Sequence, residues 1–419
     1  MVTRVSCSTQ PRERSVVAAF ICSDLKGAFM QFTDTILVFS HLRWDSVYQR
    51  PQHLMSRFAA HQRVIFIEEP WVDDTNVPRW ETYQGAKNLL VARLRTPNPT
   101  PGFHDSHLPE LIPMLHRLLD QEQVGAYTVW MYTPQALPAA QALAPGLVVY
   151  DCMDELAAFK HAPRELIDRE TALLKWADLV FTGGPSLYRA KRDRHPRVSC
   201  FPSSVDSAHF RAAVSGPEAQ DQHDLPHPRL GFYGVIDERM DLGLLDALAS
   251  ARPDWQIVMV GPVVKIDPAS LPRHPNLHYI GQRSYAELPS YLAGWDVCLL
   301  PFARNESTKF ISPTKTLEYM AAERLIVSTP ITDVAEPYGE IVYLGSTPAE
   351  FIAACDRALN ASAVERAERF SRMRAVLART SWDSTAEAMR RLMAAANNKR
   401  TLTPTMPRYA AHSSVSLWD

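Results

Sequence analysis

Two consecutive doubly wound, Rossmann-like α/β domains are what this chain predicts, on three observations. Short apolar runs recur along it, with helix-like segments between them. The runs are near-continuous in Val, Ile and Leu, as in parallel strands buried on both faces. A polar, proline-bearing stretch, 211–228, interrupts the pattern, which then restarts. In the first half the strand candidates are TILVFS (35–40), RVIFIEE (63–69), NLLVARL (88–94), YTVWMYT (127–133), LVVYDCM (147–153), DLVFTGG (178–184) and VSCFPS (198–203). Segments such as RPQHLMSRFAAH and HLPELIPMLHRLLDQEQ separate them with helical spacing. In the second half the strand candidates are RLGFYGVI (229–236), WQIVMVGP (255–262), NLHYIGQ (276–282), DVCLLPF (296–302), LIVSTPI (325–331) and IVYLG (341–345).

The expected organisation follows. Residues 1–33 read as an extension of little structure, with Met30 a second candidate start. A first domain spans 34–210, a linker 211–228 and a second domain 229–380. A helix over 381–396 crosses back onto the first domain, and 397–419 reads as a disordered tail. The basic residues before SVVAAFICS resemble a signal peptide only superficially, because the apolar core is short and interrupted.

The chain has 419 residues, 46% hydrophobic and 21% charged, with a formal net charge of −2. That balance argues against a dedicated nucleic-acid binder, and no run is long enough to cross a bilayer. The six cysteines are scattered without metal-ligand spacing, which argues against a structural zinc site and fits a reducing, cytoplasmic setting. No clean G-x-G-x-x-G follows a strand, so a nicotinamide dehydrogenase is disfavoured. Two doubly wound domains place ligands at their strands' carboxyl ends, in the cleft between them.

The stretch SPTKTLEYMAA (312–322) reads as a helix start with Ser312 as N-cap and Pro313 at the first helical position. A lysine in the first turn opposes the helix dipole. Lys315 therefore implies an anion from outside the chain, held with the free N–H groups near Thr314. Glu318 shares its face. The plain alternative is a surface i, i+3 ion pair.

The second half resembles the C-terminal domain of GT-B glycosyltransferases, in particular the retaining bacterial surface-sugar enzymes of family 4. The motifs that carry this are RLGFYGVIDERMDLGLLDALA, WQIVMVGP, NLHYIGQRSYAELPSYLAGWDVCLLPF, SPTKTLEYMAA and LIVSTPI, with VSCFPSSVDSAHF closing the first domain. FSHLRWDSVYQRPQHLMSRFA and VVYDCMDE resemble a less characterised bacterial branch of the same fold. The resemblance covers about residues 34–396. It implies a GT-B fold, and an enzyme moving a sugar from a nucleotide-sugar donor, UDP favoured over GDP, to a carbohydrate or lipid-linked acceptor. No metal or other cofactor is expected.

The resemblance assigns a donor diphosphate to Ser312, Thr314 and Lys315, the ribose hydroxyls to Glu318, and the base to Arg283 and Tyr285. It places Gly234 beside the ligand and Arg239 on the diphosphate, although Arg239 also reads as a solvated residue at a helix start. Two departures leave the stereochemical outcome open. Phe310 stands where the family's first glutamate is expected, and Glu323-Arg324-Leu325 replaces Gly-Lys-Pro. Rival readings are a GT-B sugar-nucleotide epimerase and a catalytically silent nucleotide-binding scaffold.

In the first domain His41, Arg43, Trp44, Arg50 and His53 crowd one strand end, read as a loop facing acceptor or phosphate. VVYDCMDE runs into Asp151 and Asp154, which with His41 are the catalytic candidates. Asp154, just past the apolar run, is better placed as general base, with a structural cap as the alternative. The basic run RAKRDRH (189–195) reads as a solvated face or a peripheral membrane contact.

Overall fold

The structure is a computed structural model and describes residues 35–74, 77–160 and 162–402. The expected N-terminal extension with Met30, and the part of the tail beyond 402, lie outside these residues.

The first sheet contains β1 (Thr35–Ser40), β2 (Arg63–Val72), β3 (Arg79–Ala86), β4 (Leu89–Thr96), β5 (Tyr127–Met131), β6 (Leu147–Cys152), β7 (Leu179–Thr182) and β8 (Val198–Cys200). Its order is β3-β4-β2-β1-β5-β6-β7-β8, parallel except for the antiparallel β3–β4 pair. β1 sits at the centre, pairing Ile36 with Val64 on one side and Thr128 on the other. All six of its residues are buried, which explains its unbroken apolar run. The sequence analysis missed β3. Its side chains are polar and mostly part-exposed at the sheet edge, so it carries no apolar run.

The second sheet contains β9 (Arg229–Tyr233), β10 (Gln256–Val260), β11 (Leu277–Gly281), β12 (Val297–Leu300), β13 (Leu325–Ser328) and β14 (Tyr343–Leu344). It is parallel, in the order β11-β10-β9-β12-β13-β14. In both sheets the order reverses beside the first strand, and there a crevice opens at the carboxyl ends.

Two expected boundaries need correction. The 211–228 stretch is not a free linker. Val205, Phe210 and Ala213 join the second domain's core. Gln222 is buried there, accepting from Trp295 Nε1 at 3.0 Å and donating to the Tyr291 carbonyl at 3.0 Å. Most of the stretch is exposed, which accounts for its polar composition, while Ala213 and Gln222 tie it to the second domain. The C-terminal helix runs Trp382–Leu402, past the point where a tail was expected. Its Trp382, Ala386, Met389, Met393 and Ala396 form one stripe in the same apolar cluster as Ile36, Phe58 and Trp130. The helix therefore packs on the first domain.

Candidate active site

A cavity of about 440 Å³ lies between the carboxyl ends of the two sheets, lined by both domains. On the second-domain side, β9 ends at Tyr233 and the chain turns at Gly234 with φ +132°. The Lys315 side chain crosses this glycine closely: a Cβ there would stand 2.1 Å from Lys315 Cε and 2.6 Å from Nζ. Conformation and space both require glycine. The Lys315 ammonium lies 5.6 Å from the Phe232 ring centroid and has no hydrogen bond or ion pair among the described residues. Burial lowers its pKa, Glu318 opposes this, and Arg239 adds to it. Lys315 is thus a part-buried cation at a helix start, set between the Phe232 ring and the Glu318 charge.

That helix spans Thr314–Ala321 with Pro313, not Ser312, in the N-cap position, and no side chain caps it. The expectation that Ser312 caps is corrected. Ser312 lies one residue outside, where its carbonyl accepts from Ser203 Oγ of the first domain at 2.7 Å. In the first turn the Thr316 N–H donates to the Pro313 carbonyl at 3.1 Å, while Thr314 and Lys315, which line the cavity, precede the first residue with an intrahelical acceptor.

One turn on, Glu318 is only 5% exposed. Tyr233 Oη donates to its Oε2 at 2.5 Å. Burial pushes its pKa up to about 7, against the pull of the Tyr233 bond and the Lys315 charge. Arg239 lines the cavity, but Asp237 grips its guanidinium at 2.8–3.1 Å. Tyr285 lines it too, its ring stacked between His209 at 4.3 Å and Tyr48 of the first domain at 4.6 Å. Arg283 stands at the rim, with its guanidinium committed to Asp221 at 2.7 Å and the Tyr291 hydroxyl at 2.7 Å.

On the first-domain side Asp154 lines the cavity. Burial raises its pKa, with Arg239 pulling the other way and Asp237 adding to the rise. Asp151 does not reach the cavity. It is buried at the end of β6, gripped by Arg50 Nε and Nη2 at 2.7–3.1 Å. This pair corrects the expectation for Asp151; Arg50 does line the cavity, with its guanidinium held by Asp151 and by the Phe201 carbonyl at 2.8 Å.

Three other residues of that crowded loop face elsewhere. Arg43 binds Glu68 at 3.2 Å and stands over Trp71 at 4.8 Å. Trp44 packs edge-on against Phe66 and donates to the Gly85 carbonyl at 3.3 Å. His53 is buried flat against Trp382 at 4.7 Å, and burial drives its pKa down to about 3. His41 lies outside the cavity lining, its Nδ1 is buried without a partner, and burial lowers its pKa to about 4. Bulk and polarity at that strand end serve packing between elements. The basic run is likewise committed: Lys191 binds Glu155 and Glu170, Arg194 binds Glu170, and Arg189 binds Glu336.

Sequence reasoning missed Tyr233, Ser203 and Tyr48. Tyr233 was open to detection, as the last strand residue before Gly234. Ser203 and Tyr48 carried no local signal, since their partners lie in the other domain.

Two facing doubly wound domains with this cavity between their strand ends define the GT-B fold. Comparison agrees. The chain superimposes on a structure described as trehalose-6-phosphate from E. coli bound with UDP-2-fluoro glucose, with TM-score 0.66 and 14% identity, over 89% of this chain and 100% of that one. Sucrose-phosphate synthase from Thermosynechococcus elongatus matches with TM-score 0.66 and 15% identity over the same shares, 89% and 100%. Residues 227–361 match the family model "Glycosyl transferases group 1". The putative teichuronic acid biosynthesis glycosyltransferase TuaH of Bacillus subtilis is 26% identical over 294 residues, 65% of this chain and 72% of that protein. The second domain is a group 1 glycosyltransferase domain, and the chain is a glycosyltransferase. No helix among the described residues is long and apolar enough to cross a membrane.

Proposed function

We propose that the chain moves a sugar from a nucleoside-diphosphate donor, UDP favoured over GDP, to a carbohydrate or lipid-linked acceptor in synthesis of a cell-surface polysaccharide or glycolipid. One observation carries the donor half. The unpartnered Lys315 ammonium lies over Gly234 at a helix start whose next turn presents Glu318. In this reading the first-turn N–H groups and Lys315 hold the diphosphate, with Arg239 beside it. Fixed positive charge in a narrow cavity stabilises the leaving group, with no metal called for. Glu318 accepts the ribose hydroxyls, and the Tyr285 ring lies toward the base.

Asp154 takes the acceptor proton. Its raised pKa makes it a stronger base than an ordinary aspartate. UDP is supported by the structural relative bound with UDP-2-fluoro glucose, and a cell-surface product by the name of the teichuronic acid relative. The reading includes a cytoplasmic setting at the inner membrane face, reached through a lipid-linked acceptor rather than through the ion-paired basic run.

A mass-spectrometric screen of UDP- and GDP-sugars for binding and hydrolysis tests the donor, and recovery of a glycosylated acceptor tests the transfer. Lys315→Ala should weaken UDP more than uridine. Equal weakening of both would mean that the lysine does not meet phosphate.

A further inference from the structure

The helix that starts at Thr314 belongs to the second domain, yet its start is held by the first. Ser203 Oγ donates to the Ser312 carbonyl at 2.7 Å and accepts from Thr314 Oγ1 at 3.3 Å. Beside it, Gly184 approaches so closely that a Cβ would meet Ser312 Cβ at 2.8 Å and Asp333 Oδ2 at 2.2 Å. Asp333 in turn accepts from Ser186 N and Oγ, both at 3.0 Å. No side chain of the second domain caps the helix, and within that domain the loop is held before Ser312 by buried Ile311, whose N–H donates to the Thr308 carbonyl at 3.3 Å.

We infer that Ser203 is a positioning residue for the donor diphosphate. It sets the backbone of residues 312–314 so that the first-turn N–H groups and Lys315 point at one place. This rests on the donor reading above. Its consequence is that diphosphate affinity depends on apposition of the two domains. By linkage, a bound diphosphate tightens that apposition in return. The ribose end depends less on Ser203, because Glu318 is fixed within its own domain by Tyr233 Oη at 2.5 Å.

The test compares affinities for UDP and uridine by calorimetry in wild type, Ser203→Ala and Gly184→Ala. Ser203→Ala removes the bridge. Gly184→Ala, at an extended backbone position that any residue adopts, drives a methyl group between the domains. Both variants should weaken UDP by about fivefold, the scale of one hydrogen bond, and leave uridine within twofold. Melting temperatures identify any variant that has lost its fold, and the UDP-to-uridine ratio is read in the folded ones. An unchanged ratio in both variants, with wild type preferring UDP, overturns the inference alone. A wild type that binds UDP no better than uridine overturns the donor reading and the inference with it.

Discussion

Glu318 is buried, and the proposed donor site gives it a role that needs its charge. Its carboxylate is 5% exposed, and burial lifts its pKa from 4.5 to about 7. A raised carboxylate pKa means that the folded state binds the proton more tightly than the unfolded chain. Stability is therefore full below pH 4.5 and falls as pH rises toward 7, by up to about 3 kcal/mol. Glu318→Gln should accordingly melt higher than wild type at about pH 8 and no higher at about pH 4. Thermal scans at both pH values check this, and a lower melting point at pH 8 would count against it. Ribose binding has the opposite sign, since only the carboxylate accepts both hydroxyl protons. Nucleoside affinity should fall about tenfold per pH unit below 7 in wild type and stay flat in Glu318→Gln. Asp154→Asn should cost at least about a hundredfold in turnover while nucleotide affinity holds and the melting temperature does not fall. A variant that melts several degrees lower with turnover intact would make Asp154 a structural cap.

At the scale of elements, the C-terminal helix bears on the first domain. Trp382 is fully buried there, stacked on His53 at 4.7 Å with 12° between the rings. Below it, Met389 and Met393 continue the apolar stripe. Trp382→Ala should destabilise by about 3–5 kcal/mol, through lost burial and the cavity left behind. Denaturant unfolding measures that loss. Uridine affinity should fall modestly too, because His53, on which Trp382 stacks, stands 5.4 Å from the Tyr285 ring and 4.6 Å from the Tyr48 ring. The helix starting at Thr314 shows the complementary case: its apolar face is buried in its own domain, while its first turn is set from across the cleft.

For the whole molecule, the two domains meet through few polar links, Asp333 with Ser186 and Arg189 with Glu336 among them. Burial raises the Asp333 pKa to about 6, while the bonds from Ser186 hold it down. Asp333→Ala removes the acceptor of two bonds and leaves Ser186 unpaired at the interface. The variant should show a larger radius of gyration by small-angle scattering, and saturating UDP should restore the compact value. Equal radii with and without the substitution would show that other contacts alone hold the domains together.

Strands such as TILVFS were legible because central parallel strands are buried on both faces, and burial writes itself as an apolar run. Lys315 and Glu318 were legible because helix grammar is local, and three residues put both on one face. β3 was not, since a part-exposed edge strand needs no apolar run. Nor was the seating of Gln222, whose polar side chain reads as solvent until its buried partners are known. Arg50 and Asp151 stand 101 residues apart, and Ser203 and Ser312 stand 109 apart. Composition made both members of the first pair look reactive, and tertiary structure decided that they neutralise each other. The sequence by itself determined the alternation of strand and helix, the two-domain plan and the common helix of Lys315 and Glu318, because each depends on spacings within a few turns. Which charges are paired, as Arg50 is with Asp151, and which have no ion pair among the described residues, as Lys315, depended on distances between segments far apart in the chain, and only the folded structure sets those.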